Sequence, residues 1–345
     1  MGGLSKWLDV VVIGRNEGSN LEKLYKSLFP IKDILNEIIF VDSASKDDSV
    51  IISEKYGCKI ICLDESPFLC ASVGRYVGTK IAKSEWILYL DGDMELHVEF
   101  ADWLKDFQPK KDNNIAGYLG YYEYIDNKTN KKERKIIGST KGETDYFGGA
   151  VLLNKNVVLQ AGNWSLSVIS NEEIELYSRI QALGYKVHTI DITMVTHYTE
   201  LMPKHKIALD LFVPFFSKKK FYGPGQAVMS AISRGTFIDF IKAQPDLFFT
   251  IGVNIISLIL ICISIIFSNK WPIVVLTVLH VIILIKLFSV KKYVLYQGLS
   301  FRIPFGIYYS FKYISEFNQF KEYIESKISL LNYQRIDLIN KDTVR

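Results

Sequence analysis

Cysteine is scarce in this chain of 345 residues, and the four present show no paired order. Cys58, Cys62, Cys70 and Cys262 form no C-x-x-C unit and lie in apolar or strand-like surroundings. That pattern excludes a zinc ribbon and gives no support to a disulfide framework; they read as buried, reduced thiols. A strong excess of one charge is also missing. Lys and Arg number 41 against 37 Asp and Glu, a net charge of +4, so no nucleic-acid partner is expected. The opening "MGGLSKWLDVVVIG" has no basic stretch followed by an apolar run of signal-peptide length, so no secretion is expected. Internal repeats and low-complexity tracts are absent.

Long apolar runs, by contrast, are present near the end. Leu247 to Phe267 is a charge-free stretch of 21 residues, and roughly 20 suffice to cross a bilayer as a helix. Trp271 to Phe288 repeats the pattern with one charge, Lys286. The pair predicts a transmembrane helical hairpin. Arg234, Lys242, Lys291, Lys292 and Arg302 flank its ends against Lys270 in the turn, which places both chain ends in the cytoplasm. The expected location is the inner membrane, multi-pass, with the first part of the chain facing the cytoplasm.

That first part alternates strand and helix patterns. "WLDVVVIGR" and "EIIFVD" are nearly unbroken β-branched runs, and "SNLEKLYKSLFPIKDIL" between them carries apolar residues at 21, 24, 25 and 28, with Ser19 or Asn20 as a cap. "SKDDSVIISEKYG", "CKIICLD", "ASVGRYVGTKIAKS" and "EWILYLD" continue the alternation. It predicts an α/β fold with a mostly parallel sheet, whose ligands bind at the carboxyl ends of strands. Asp42 and Asp91 occupy such ends. "NKTNKKERK" reads as a solvated hairpin tip, "NEEIELYSRIQALGYKV" as an amphipathic helix entering a strand, and the Lys- and aromatic-rich 205–225 region as an interfacial segment or a plain linker.

The stretch "LYLDGDMELH" is the chemical focus. Asp91 and Asp93 flank a glycine directly after a buried strand, and carboxylates so placed oppose each other's ionisation unless a cation neutralises them. A hard divalent ion does so.

The blocks "VVIGRNEGSNLEKLYKSL", "EIIFVDSASKDDSV", "ASVGRYVGTKIAKSEWILYLDGDMEL", "DYFGGAVLLNKNVV" and "SNEEIELYSRIQALGYKV" resemble, in order and spacing, the motifs of family 2 glycosyltransferases over roughly residues 8 to 200. The resemblance implies the GT-A fold (a Rossmann-like nucleotide-diphospho-sugar transferase domain), a Mg²⁺ or Mn²⁺ cofactor, a UDP- or GDP-sugar donor and a hexosyltransferase type of activity. It implies Asp93 as metal ligand with Asp91 assisting and His197 nearby, and Glu173 as general base from a pair that here reads Glu172-Glu173. It also implies Asn16, Glu17, Asp42, Arg75, Asp91, Gly148 and Gly149 around the nucleotide sugar. Tyr76 stands where the family usually has asparagine.

The processive signature Q-x-x-R-W is absent, so single transfers are expected, to a lipid-linked or saccharide acceptor at the membrane surface, with membrane lipids as further partners. A nucleotidyltransferase of related fold and an inactive membrane scaffold are the rival readings. The expected layout is a catalytic domain over 1–203, interfacial linker helices over 204–246, the hairpin over 247–288 and interfacial or cytoplasmic helices over 289–345.

Overall fold

The computed structural model describes residues 6–107, 114–126, 128–136, 142–144, 146–199, 212, 218–268 and 271–342, with side chains of the last helix as far as Leu331. The chain divides into two compact units, Met1–Leu201 with Tyr313–Arg345, and Met202–Lys312. Most of the 205–225 segment lies outside the described residues.

In the first unit, strands β1 (Leu8–Gly14), β2 (Leu35–Asp42), β3 (Lys59–Cys62) and β4 (Trp86–Asp91) are parallel, in the order β3-β2-β1-β4. Helices α1 (Gly18–Ser27), α2 (Ser49–Lys55) and α3 (Ala71–Ile81) alternate with them. Each of these strands ends where its apolar run ends, so Asp42 and Asp91 are brought to one edge of the sheet.

Beyond β4 the sheet stops being parallel. It continues through β8 (Val151–Asn154), β6 (Ile115–Asp126), β9 (Lys186–Thr199) and β5 (Met94–Leu96). The β4/β8, β6/β8 and β5/β9 pairs are antiparallel, and β6/β9 is parallel. The mostly parallel sheet expected from the sequence is therefore a mixed one. The Lys-rich hairpin tip forms as expected, with β7 (Lys132–Lys135) antiparallel to β6. Helices α4 (Val98–Asp106), α5 (Lys155–Gln160) and α6 (Glu172–Ala182) complete this part.

The core is what these runs bury: Val10, Val11, Val12, Ile39, Phe40, Leu88, Tyr89 and Leu90 are fully enclosed, each worth about 1.5–3 kcal/mol relative to exposure. Asp9, also enclosed, is the exception that the fold accommodates. It accepts hydrogen bonds from the Lys83 and Ser84 amides at 2.6 and 2.7 Å and from Asn36 at 2.8 Å, as a buried carboxylate requires.

Two local readings are corrected. Neither Ser19 nor Asn20 caps α1; at its start, Ser49 Oγ of α2 accepts from Glu17 N at 2.9 Å and Asp47 Oδ2, in the turn before α2, accepts from Gly18 N at 2.9 Å. Cys62 and Cys262 are exposed, not buried, Cys62 because it closes an edge strand and Cys262 because it lies on an apolar helix with little packed around it.

The second unit is helical: α7 (Gly223–Ser233), α8 (Phe237–Ala243), α9 (Pro245–Ile266), α10 (Trp271–Leu287) and α11 (Val290–Lys312). Among the described residues only α9 is by itself long and apolar enough to cross a membrane; α10 and α11 form a pair bent by 118°. Ile255, Leu258, Ile259, Ile265 and Ile266 of α9 are exposed. Val253, Ile283 and Leu287 pack α9 against α10. Helices α7 and α11 touch through Gly225 and Gly306, whose Cα atoms approach so closely that a Cβ on Gly225 would lie 2.6 Å from the Gly306 Cα. Arg302, counted above as a flanking charge, is buried and donates to the carbonyls of Phe221, at 2.9 Å, and Lys220, so its charge serves packing.

The last helix, α12 (Ile314–Asp342), belongs to the first unit and places Phe320, Ile324 and Ile328 in its core.

Candidate active site

Arg75 is the centre of the site. It projects from the first turns of α3, is 1% exposed, and faces three carboxylates from two other elements. Its Nη2 donates to Asp91 Oδ1 at 2.8 Å; its Nη1 donates to Glu172 Oε1 at 3.0 Å and to Glu173 Oε1 at 3.4 Å. Its Nε is buried without a hydrogen-bond partner. Burial would weaken the hold of Arg75 on its proton, but Asp91, Glu173 and Glu172 more than reverse this and raise its pKa.

One guanidinium cannot neutralise three acids. Burial, with the Glu173 charge adding to it and Arg75 opposing, pushes the Glu172 carboxyl up to about 8, so Glu172 retains a proton in the neutral range. Glu173 is the more open of the two: its side chain is 24% exposed against 6% for Glu172.

Gly149 explains itself here. A Cβ at that position would lie 2.4 Å from Asp91 Oδ2 and 2.8 Å from Arg75 Nη2, so only glycine lets this backbone pass the ion pair. Gly148 precedes it, also buried. Gly92 similarly admits the Glu17 side chain, 2.8 Å from where its Cβ would be.

Asp93 is engaged on one side. Its Oδ2 meets His197 Nε2 at 3.0 Å, while its Oδ1 is buried with no hydrogen-bond partner, as is His197 Nδ1. The β5/β9 pairing creates this contact by setting Met94 opposite His197. Burial alone would lower the His197 pKa; the hydrogen bond and charge of Asp93, followed by Asp91 and Glu17, outweigh it and raise the value. The Glu17 pKa is raised too, first by burial and then by Asp93, Asp91 and Asp47, against a hydrogen bond from Asn20. Like charges are thus crowded on this corner.

At the end of β2, Asp42 is buried. Its Oδ2 accepts from Ser45 N at 3.0 Å and its Oδ1 has no partner. Asn16, with φ of 59°, ties this loop down by accepting from Lys46 N at 2.8 Å and donating its amide to Ser45 Oγ at 2.9 Å. The structure therefore brings Asp91, Arg75, Glu172, Glu173 and Gly149 into one cluster and Asp93 with His197 beside Glu17. Asn16 acts on the loop next to Asp42. Glu172 is the residue that sequence reasoning passed over, its signal being adjacency to Glu173.

Comparison with known proteins bears on this arrangement. Residues 9–168 match the model described as Glycosyl transferase family 2. This stretch of the chain is similar to family 2 glycosyltransferases. Among similar proteins, an uncharacterized glycosyltransferase of Rickettsia bellii (strain RML369-C) is 38% identical over 123 residues, 34% of this chain and 37% of that one. The 4,4'-diaponeurosporenoate glycosyltransferase of Staphylococcus haemolyticus (strain JCSC1435) is 24% identical over 173 residues, 45% of this chain and 46% of that one. The aligned stretches thus span less than half the length of these relatives. The crystal structure of S. aureus TarS 1-349 is similar with a TM-score of 0.48 and 14% identity, covering 89% of this chain and 91% of that one. All the residues named above except Glu172, Glu173 and His197 lie inside the matched family 2 segment.

The donor set also suits a hard divalent cation in part. Asp93 offers a buried oxygen without a partner, yet among the described residues no three His, Cys, Asp or Glu side chains are grouped to hold a metal. A cation of the Mg²⁺ type held by one or two carboxylates and completed by substrate phosphates and water needs no third protein ligand.

Proposed function

We propose that the domain transfers a sugar from a UDP- or GDP-sugar, in a divalent-metal-dependent single displacement with inversion, to an acceptor presented at a membrane surface. The observation that carries this reading is the surplus of negative charge around Arg75 and Asp93 at the strand ends, with Asp93 Oδ1 unpartnered. Such a corner suits a cation that accompanies a diphosphate.

Asp93, supported by Asp91 across the turn, would hold the cation, and His197 orients the Asp93 carboxylate. When bound, the cation would supply Lewis-acid shielding of the diphosphate as it leaves. The chain's own groups do the rest. Glu173, steadied by Arg75 and open to solvent on its other side, accepts the proton of the acceptor hydroxyl. The acceptor oxygen then bonds to the anomeric carbon while the bond to the diphosphate breaks, and the diphosphate departs with the electron pair. Arg75 keeps Asp91 and Glu173 at fixed separation, and Glu172, holding its proton, relieves part of the repulsion. Asp42 and the loop braced by Asn16 would receive the nucleoside.

Helix α9 supports membrane attachment, with a lipid-linked or saccharide acceptor there and the domain on the cytoplasmic side, where nucleotide sugars are made. Absence of the processive motif favours one residue per encounter. The test is metal-dependent hydrolysis of a panel of UDP- and GDP-sugars with Mn²⁺ by the full chain in detergent. Turnover of one donor by the wild type and its loss in Asp93→Ala is the expected result; undiminished turnover in Asp93→Ala overturns the reading.

A further inference from the structure

The C-terminal helix α12 touches the domain at two places that bracket Arg75. Its aromatic residues enclose Phe68, itself 6% exposed: ring centroids lie 4.4 Å from Phe317, 5.7 Å from Phe320 and 6.4 Å from Tyr313 just before the helix. The Tyr323 hydroxyl donates to Asp64 Oδ2 at 2.6 Å and accepts from Asp64 N at 3.1 Å, and Lys327 Nζ lies 3.4 Å from the same carboxylate. On the other side of this segment, Tyr76, next to Arg75, donates its hydroxyl to Glu325.

Asp64 to Cys70 is the connection between β3 and α3. It begins beside Asp42, whose carbonyl accepts from Leu63 N at 2.9 Å, and ends where α3 starts, one turn before Arg75. Within it Glu65 pairs with Arg15 at 3.0 Å, adjacent to Asn16. A surface connection without regular structure is ordinarily among the more mobile parts of a fold. Here it is fastened from outside by a helix that begins more than two hundred residues later. Exposed ion pairs such as Asp64 with Lys327 contribute little by themselves, so the enclosed Phe68 supplies the attachment and the Tyr323 and Tyr76 hydroxyls set its orientation. Tyr76, the departure from the family pattern, finds its partner on this helix.

We propose that α12 is a positioning element of the donor site: through Phe317, Tyr323 and Glu325 it fixes the Asp64–Cys70 connection and the Tyr76 side of Arg75, and so sets the affinity for the nucleotide. The inference rests on the glycosyltransferase reading. It also means that a chain cut before α9 loses part of its core, since Phe68 and the surroundings of Ile324 would be uncovered.

The experiment uses the full chain in detergent, as wild type, Phe317→Leu, Tyr323→Phe and the double variant. Each is titrated calorimetrically with UDP and with GDP in the presence of Mn²⁺, alongside thermal unfolding and donor KM and kcat. The double variant should bind the preferred nucleotide about five- to tenfold more weakly and show a matching rise in donor KM, with kcat within about twofold and folding intact at the assay temperature. Tyr323→Phe alone should show a smaller rise of the same kind. A purely structural role lowers the unfolding temperature and leaves affinity alone. Equal affinity in wild type and double variant overturns the inference while sparing the functional reading; failure of the wild type to bind either nucleotide overturns both.

Discussion

Two buried arginines in the same domain show opposite electrostatics. Arg179 meets one carboxylate: its Nε and Nη2 donate to the two oxygens of Glu175 at 2.9 and 2.6 Å, and its Nη1 donates to the carbonyls of Ala161 and, at 2.8 Å, Asn163. Charge is balanced one to one, and the fork geometry of the guanidinium is used in full. Arg75 meets three carboxylates and leaves its Nε without a partner. The first arrangement is complete as it stands and joins α6 to the turn after α5. The second carries surplus charge at the edge where strands end, and surplus buried charge persists only where something else compensates it.

Replacing each arginine is the strongest way to break this contrast. Arg75→Met should lower kcat/KM by about 10²- to 10³-fold, because Asp91 and Glu173 lose their common anchor. Arg179→Met should leave kcat/KM of the folded protein within about threefold but destabilise it by about 3–5 kcal/mol, since Glu175 is left buried and uncompensated. Steady-state kinetics and urea unfolding read the two effects separately.

Within the Arg75 cluster the two glutamates should separate as well. Glu173→Gln should slow transfer by about 10²-fold or more with donor KM nearly unchanged; a normal rate would move the base elsewhere. Gly149→Ala forces a methyl group between Asp91 and Arg75, and about a tenfold loss of kcat/KM is expected, measured with the same assay.

The smallest effect concerns pH. Glu172 has an ordinary value of 4.5 and is pushed up to about 8 when folded. The folded chain therefore keeps a proton that the unfolded chain gives up. Its stabilising contribution is whole below pH 4.5 and is progressively lost as pH rises through about 8. Glu172→Gln should flatten this part of the stability profile in urea melts between pH 5 and 8.5.

Much of the first hundred residues was legible in the sequence, for a physical reason. Strands buried on both faces read as unbroken apolar runs, and the acids that end them mark the sheet edge, which located Asp42 and Asp91 directly, with Asp93 two residues further on. The Arg75 cluster was not legible as a cluster. Its partners Glu172 and Glu173 stand 97 and 98 positions away, and adjacency in space across that distance is a tertiary property. The switch to a mixed sheet escaped for the same reason, since strand direction is set by pairing.

The C-terminal helix did carry a signal. Phe317, Phe320, Ile324 and Ile328 recur at helical spacing and mark an apolar stripe, which the charges between them obscured. The burial of Arg302 beneath the carbonyls of Lys220 and Phe221 left no such trace, because a flanking charge and a buried donor look alike in one dimension.

The most direct measurement is calorimetric titration of the full chain with UDP and GDP, each with and without Mn²⁺, in wild type and Asp93→Asn. If the surplus charge around Arg75 and Asp93 is there to hold a cation together with a diphosphate, Mn²⁺ should strengthen nucleotide binding to the wild type at least about tenfold, and Asp93→Asn should abolish that gain. Nucleotide binding that ignores Mn²⁺, or a gain that survives in Asp93→Asn, would contradict the account.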